Sequence, residues 1–193
     1  DIAVFKGGAI RHTAVLPIAG NQVTNDISVA FRTPTQSAEE IKVKYGCALP
    51  AMAEASEEIE VKGVGDAPPR RLSRHTLAEV IKPRYEELFR FIRKELHRAD
   101  WYDVIAGGIV LTGGSSQMPG VLELAEQVFE LPVRQGLPHN VQGLKEVVKN
   151  PAYSTAVGLL LYGKQNLPRT TPAREGGAHY WAQRIGAWLK GNF

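Results

Sequence analysis

Apolar residues recur along the chain with two periods, one typical of strands and one typical of helices. Residues 1–5 and 10–18 are rich in strand-forming side chains and are separated by a Gly-Gly pair, which predicts a hairpin. Residues 57–64 alternate apolar and charged positions, as a half-buried strand does. Residues 108–112 are continuously apolar, and this pattern predicts a strand buried on both faces.

Helical segments follow where apolar residues stand three or four positions apart. Gly20 opens the first helix, and Thr35 is expected to cap the second. Ser73 caps the longest one, which Pro83 should bend because proline removes a backbone hydrogen bond. Pro119 is expected to occupy the first turn of a further helix. The remaining predicted elements are a turn over residues 66–69, a short strand over 131–134 and helices over 143–149 and 151–162.

This alternation predicts an α/β fold, a mixed sheet with helices. The 193 residues, 44% hydrophobic and 22% charged, are enough for one domain or two small lobes with appendages. No apolar run reaches the ~20 residues that a membrane-spanning helix needs. The start at Asp1 resembles the middle of a strand and not a signal peptide, so the chain is expected to be a fragment.

The net charge of +3 is unevenly distributed. Residues 164–193 hold five cationic side chains and one carboxylate, so this tail carries +4 and the rest carries −1. A near-neutral body lacks the basic face that phosphate backbones require, which argues against nucleic-acid binding by the body. The single cysteine, Cys47, cannot form an internal disulfide and favours a reducing compartment.

The candidate chemistry is confined to one glycine-rich turn. Gly113-Gly114-Ser115-Ser116 lies between the predicted strand over 108–112 and the helix after it. Glycines let a ligand approach the backbone, and the free N–H groups of a helix start favour negative charge. Taken alone, the turn fits a structural strand-to-helix connection better than a nucleotide contact, because it matches neither common phosphate motif. The five histidines are scattered, so no metal site is predicted, and no catalytic residue is identified.

Longer segments around this turn resemble a known superfamily. Residues 109–120, IVLTGGSSQMPG, resemble the adenosine motif of the actin/Hsp70/sugar-kinase superfamily. Residues 1–5 and their Gly-Gly hairpin resemble the second half of its phosphate hairpin. Residues 38–42, AEEIK, match the helix that places a Glu and a Lys against the nucleoside in that superfamily.

Three further segments narrow the resemblance to the FtsA family of bacterial cell-division proteins, in the right order and over essentially the whole chain. They are residues 17–27 (PIAGNQVTNDI), 77–88 (LAEVIKPRYEEL) and 153–160 (YSTAVGLL). The resemblance implies an actin-like ATPase (ribonuclease H-like) fold, of which this chain would be the second lobe only. Its subdomain 2A would be split over 1–32 and 105–163, with subdomain 2B inserted at 33–104, a flexible linker over 164–177 and an amphipathic membrane-targeting helix over 178–193.

The resemblance also implies a nucleotide site. Glu39 and Lys42 would face ribose and adenine, and Asp1 would stand at the end of the phosphate hairpin. Gly113, Gly114 and Ser115 would line the nucleotide. The implied cofactor is ATP, with Mg²⁺ held by residues of the missing half, and little or no hydrolysis is expected.

The basic tail has a pattern of its own. The linker is polar and rich in proline and glycine, without an apolar period. After it, apolar side chains recur on one helix face while cations lie on or beside the other, which is typical of a helix lying at a lipid surface. The alternative is a helix docked on the body, and the family resemblance independently implies membrane targeting. The predicted membrane-binding residues are Trp181, Arg184, Ile185, Trp188, Leu189, Lys190 and Phe193.

The long helix carries the predicted partner site. FtsA-like proteins receive the acidic, apolar C-terminal peptide of the tubulin-like protein FtsZ on subdomain 2B, and Arg84 matches a position implicated in that contact. Arg74 and Lys82 are further candidates. The family also implies head-to-tail filaments, other divisome partners and a location at the division site, on the cytoplasmic face of the inner membrane. The leading hypothesis is an ATP-binding tether, and the alternative is an actin-superfamily ATPase or a pilus-assembly relative without that role.

Overall fold

The computed structural model describes residues 1–65, 67–139 and 148–166. The chain divides into two compact units, residues 1–158 and residues 159–193. The strands are β1 (Ile2–Lys6), β2 (Ala9–Ala14), β3 (Glu58–Val61), β4 (Arg70–Ser73), β5 (Ile109–Leu111) and β6 (Val133–Gln135). The helices are α1 (Gly20–Phe31), α2 (Thr35–Tyr45), α3 (Arg74–Arg98), α4 (Val121–Phe129) and α5 (Ser154–Asn166). Single helical turns lie at Pro50–Met52, Tyr102–Val104, Gly114–Gln117 and Pro151–Tyr153.

Strands β1 and β2 form the predicted antiparallel hairpin. Gly7 and Gly8 have φ angles of 62° and 76°, the left-handed conformation that a two-residue hairpin turn favours. The second strand is shorter than predicted, because Ala14 pairs with Ile2 at the beginning of β1 and the residues beyond it have no partner on that strand. The hairpin confirms the sequence prediction except for this length.

Strands β3 and β4 form a second antiparallel pair. Ile59 and Val61 of β3 are buried, as their alternation with charged residues predicts. Strand β4 was not predicted, because Arg70 and Arg71 interrupt any apolar period. It forms because Leu72 lies opposite Ile59 and packs against the core. Tertiary pairing has overridden the local pattern here.

Helix α3 is the central element of the hydrophobic core. Leu77, Ile81, Tyr85 and Phe89 recur every fourth residue and are all buried. The Phe89 ring lies 5.4 Å from the ring of Phe129 on α4, in a tilted arrangement that aromatic pairs favour. The helix also contacts α1 and β4. It is continuous through Pro83, and the bend expected there stays a prediction.

Strand β5 corrects the sequence prediction. It pairs in parallel with β6, but it is not buried on both faces, because Val110 is 45% exposed. Ile109 and Leu111 pack against the core, and the residue between them points to the opposite face since side chains alternate along a strand. The apolar run therefore indicated a strand correctly but overstated its burial.

One predicted helix start and one predicted helix cap are also wrong. Helix α4 begins at Val121 and not at Pro119, because Gly120 with a φ of 77° occupies the capping position and the Pro119 carbonyl accepts a hydrogen bond from Ala48. Thr35 is the first helical residue of α2, so Pro34 stands at the cap.

The last predicted elements can be compared with the structure only in part. The predicted helix over 143–149 lies mostly outside the described residues, as does part of the turn over 66–69. The final helix begins after the turn at Pro151–Tyr153 and runs to Asn166, past the predicted start of the linker. In the described parts of the chain, no helix has the length and apolar character needed to cross a membrane.

The cap of α3 gives a test of the fold. Ser73 Oγ accepts a hydrogen bond of 3.1 Å from the backbone N–H of Thr76, as the sequence predicts. We expect Ser73→Ala to lower the free energy of unfolding of the 193-residue chain by about 1 kcal/mol, because that N–H loses its partner. Urea unfolding followed by circular dichroism measures the change. Ser56→Ala, at an exposed turn, is the control, and equal destabilisation by both variants would contradict the cap.

Candidate functional site

A cleft of about 610 Å³ opens where four segments of the first unit meet. These segments are the start of α1, the middle of α2, the buried side of α3 and the turn at Gly114–Gln117. The glycine-rich turn thus lies beside the Glu-Lys helix, as the family resemblance implies. The residues that line the cleft include Gly20, Glu39, Lys42, Tyr85, Gly114 and Ser115.

Lys42 is the centre of a hydrogen-bond network on one wall of the cleft. Its Nζ atom lies 2.6 Å from Oε2 of Glu39, 2.8 Å from the hydroxyl of Thr24 and 3.1 Å from the carbonyl oxygen of Gly20. The Thr24 hydroxyl donates in turn to Glu39. Helices α1 and α2 are therefore joined at the cleft through a single ammonium group, whose three donors all have acceptors.

The carboxyl of Glu39 stays ionised at neutral pH. Partial burial raises its pKa, but the hydrogen bonds from Lys42 and Thr24 outweigh burial, and the net pKa is lowered. The Glu39 side chain is 47% exposed, whereas that of Lys42 is 11% exposed. The wall thus presents an ionised, accessible acceptor held in place by a largely covered cation.

Tyr85 reaches the cleft from α3. Its hydroxyl donates a hydrogen bond of 3.2 Å to the carbonyl oxygen of Ser115. Burial raises the pKa of Tyr85 to about 12, so the hydroxyl keeps its proton and remains a donor at neutral pH. The sequence analysis did not identify Tyr85 as a site residue. Its position four residues after Ile81, which itself follows Leu77 by four, was a usable signal that it faces the core.

Gly20, at the start of α1, also lies against the glycine-rich turn. A Cβ atom at this position would lie 2.7 Å from Oγ of Ser115, so the absence of a side chain allows α1 to begin against the turn. Gly113, expected to line the nucleotide, has a φ of 89° and is not among the residues that line the cleft, and its N–H donates to the carbonyl of Pro151. Gly114 and Ser115 therefore line the cleft, and Gly113 supports them.

Asp1 does not join this group. It is exposed before β1 and is not among the residues that line the cleft. Within residues 1–65, 67–139 and 148–166, three or more side chains suited to a metal ion do not cluster anywhere.

Arg84 is held in an ion pair between helices. Its Nε and Nη2 atoms donate to the two carboxylate oxygens of Asp26 on α1, at 2.6 and 2.9 Å. Its Nη1 atom donates to Glu87 on its own helix. The hydrogen bond to Asp26 raises the pKa of Arg84, so the charge is permanent. The side chain remains 28% exposed.

The other two predicted partner residues are also paired. Arg74 lies 2.8 Å from the carboxylate of Glu57 and donates to the Tyr45 carbonyl, which joins α3 to α2 and to the start of β3. Lys82 lies 3.5 Å from Glu86, one turn further along α3. All three predicted cations thus lie on α3, and each has an acidic neighbour in the chain. The predicted membrane-binding residues, from Trp181 to Phe193, lie outside the described residues.

Comparison with known families identifies relatives for the whole chain. The model of the family "Cell division protein FtsA" matches residues 1–158. The chain is 55% identical over 201 aligned residues to the cell division protein FtsA of Pseudomonas aeruginosa, covering 100% of this chain and 48% of the relative. It is 45% identical over 207 residues to that of Escherichia coli K12, covering 100% and 49%. The chain therefore spans about half the length of the curated relatives it matches.

Solved structures share the fold at low identity. A crystal structure of MreB5 of Spiroplasma citri bound to ADP has a TM-score of 0.65 and 17% identity, covering 84% of this chain and 49% of that one. A PilM–PilN type IV pilus biogenesis complex has a TM-score of 0.59 and 19% identity, covering 83% and 41%. These likenesses confirm the predicted actin-like architecture.

The family match covers most of the chain, and it includes both the cleft and the Arg84 pair. The relatives in Pseudomonas aeruginosa and Escherichia coli are similar along all of it. These matches separate the chain from pilus-assembly relatives, whose likeness lies in the fold. With its α/β elements and actin-like neighbours, the chain belongs to the FtsA family of cell division proteins.

Proposed function

We propose that this protein is an ATP-binding adaptor of cell division that tethers FtsZ filaments to the cytoplasmic membrane and self-assembles into filaments. The observation that carries this proposal is the FtsA family match over residues 1–158. Direct chemistry is not required of such an adaptor, and no residue of this chain is assigned a catalytic role. The alternative remains an actin-superfamily ATPase without a tethering role.

The cleft supports the ATP part of the proposal. A volume of about 610 Å³ lies within the range of small-molecule sites. Ionised Glu39 can accept hydrogen bonds from ribose hydroxyls, while Lys42 holds that carboxylate in place and lies beside the proposed base. Gly114 brings bare backbone to the cleft, which allows a ligand to approach closely. The similar folds of MreB5 were solved with ADP and with AMPPNP.

The phosphate end of the nucleotide is proposed to extend beyond the residues that line the cleft. Asp1 is expected to stand near the phosphates, and Mg²⁺ is proposed to be held by residues outside this chain. When bound, ATP would supply negative charge to the site and would act as a ligand whose presence or absence distinguishes two states of the protein. In this proposal the residues that line the cleft bind and orient the nucleoside, and none of them is assigned the role of a base.

Lys42 provides the test of nucleotide binding. We expect Lys42→Met, made in the full-length gene product, to weaken ATP binding about tenfold, because Glu39 loses the cation that positions it. Fluorescence titration with a labelled ATP analogue measures the affinity. Lys44→Met on the same helix is the matched control, since this exposed lysine lies over the Tyr45 ring and not in the cleft. Equal affinity of both variants would contradict the site.

The tail supports the membrane part of the proposal. Trp181, Ile185 and Trp188 recur with helical spacing after a polar linker, and Arg184 and Lys190 supply positive charge. Tryptophan rings favour the headgroup boundary, and the cations attract anionic lipid. One short helix of this kind binds weakly, so firm attachment requires several copies, as a filament provides.

Liposome sedimentation tests the tail. We expect the intact chain to sediment with vesicles of anionic phospholipid and the chain ending at Asn166 to stay in the supernatant, because the apolar face and the cations are removed together. Trp181→Ala with Trp188→Ala keeps every charge and should lose most of the binding. Gln183→Ala with Asn192→Ala is the matched control and should bind normally. Sedimentation of the truncated chain to the same extent would rule out the tether.

The surface near Arg84 supports the FtsZ part of the proposal. The Arg84 side chain is 28% exposed, and Val29 is 78% exposed one turn after Asp26 on α1. A cation beside exposed apolar surface suits a peptide that is both acidic and apolar. Lys82 and Arg74, the other two candidates, lie nearer the start of α3. Lys82 stands two positions before Arg84, and residues two positions apart on a helix do not share a face, so Arg84 is the central residue of the proposed site.

Charge reversal tests this surface. We expect Arg84→Glu in the full-length gene product to lower the affinity for a peptide of the FtsZ C-terminus at least about tenfold, because the cation that would pair with a peptide carboxylate is replaced by a third carboxylate beside Asp26 and Glu87. Isothermal titration calorimetry measures the affinity. Arg71→Glu is the matched control, because Arg71 lies on β4 and is 76% exposed. If Arg84→Glu binds the peptide as the wild type does, Arg84 is not part of the site.

A further inference from the structure

Helices α1 and α3 each carry a cleft residue and, close to it in sequence, one half of an ion pair. On α1, Gly20 lines the cleft, Thr24 hydrogen-bonds to the lining residues Glu39 and Lys42, and Asp26 follows two residues after Thr24. On α3, Tyr85 hydrogen-bonds within the cleft and Arg84 directly precedes it. The Asp26–Arg84 pair therefore joins two helices that both contribute to the walls of the cleft.

The geometry of this pair is that of a strong interhelical contact. Two N–H groups of Arg84 meet the two oxygens of Asp26 at 2.6 and 2.9 Å, a bidentate arrangement. The two side chains are 28% and 29% exposed, so water screens the pair less than a surface pair. The cations of Lys82 and Arg90, in contrast, pair with Glu86 on their own helix.

The pair also sets the local charge. Asp26 and Glu87 both contact the one guanidinium, so this group of three side chains carries one net negative charge. An acidic peptide that approaches Arg84 is therefore repelled until a carboxylate moves away. Asp26 occupies the Nε–Nη2 edge of the guanidinium, one of the two edges at which a carboxylate can bind in a bidentate way, and Glu87 accepts from Nη1 on the other edge.

We propose that Asp26 is an internal competitor of the acidic peptide for Arg84, and that its displacement links peptide binding to the nucleotide cleft. When the peptide takes Arg84, α1 loses its ionic contact with α3, and the same helix holds Gly20 and Thr24 against Lys42. Peptide binding then changes ATP affinity, and ATP changes peptide affinity by the same factor, because linkage is reciprocal. This inference rests on the proposed peptide site at Arg84.

The test removes the competitor. We expect Asp26→Asn in the full-length gene product to bind the FtsZ C-terminal peptide about fivefold more tightly than the wild type. In the wild type, saturating peptide should change the dissociation constant of ATP about fivefold, and in Asp26→Asn by less than about twofold. Calorimetry measures both affinities, each with and without the other ligand. Asp103→Asn makes the same charge change at an exposed site and should behave as the wild type.

A second variant separates charge from the interhelical contact. Glu87→Gln removes one carboxylate from Arg84 but leaves α1 attached to α3. It should tighten peptide binding and keep the effect of peptide on ATP, and thermal melting checks that both variants fold. Unchanged peptide affinity and unchanged coupling in Asp26→Asn would overturn the inference, while loss of binding in Arg84→Glu would still uphold the peptide site. If Arg84→Glu binds normally, the inference and the peptide site both fail.

Discussion

The row of buried side chains on α3 is the contact on which the rest of the described structure depends. Leu77, Ile81, Tyr85 and Phe89 lie on one face of the helix and pack among α1, α4 and the β3–β4 pair. Because Tyr85 belongs to this row and also hydrogen-bonds the glycine-rich turn, the core fixes one side of the cleft. Arg84 is the next residue back, so the proposed partner surface shares the same rigid support.

The proposed functional sites are close to one another in this arrangement. The proposed nucleotide cleft, the interhelical ion pair and the proposed peptide surface all include residues of α1 and α3, some of them adjacent or nearly adjacent in sequence. A membrane tail attached beyond Asn166 would act through multiplicity and not through a single strong contact. The proposed adaptor therefore has weak individual attachments whose strength comes from assembly, a property suited to a reversible structure at the division site.

Local sequence signals recovered much of this structure, and their failures have physical reasons. The hairpin and the cap at Ser73 depend on neighbours close in the chain, so their patterns were readable. Glu39 and Lys42 were indicated by the family resemblance, and the structure adds that the two side chains pair with each other. Strand β4 and the exposure of Val110 depend on which distant element packs alongside, and no local pattern carries that information. The ion pair between Arg84 and Asp26 joins residues 58 positions apart, so the sequence indicated the cation but not the carboxylate that pairs with it.

The central claim is that this protein attaches FtsZ to a membrane, and reconstitution on a supported bilayer tests it most directly. Fluorescent FtsZ filaments are added to an anionic bilayer with the full-length gene product and ATP, and surface fluorescence is recorded. The account predicts recruitment of filaments that requires both the tail after Asn166 and the positive charge of Arg84. Equal recruitment by a protein lacking the tail, or none by the intact protein, would contradict it.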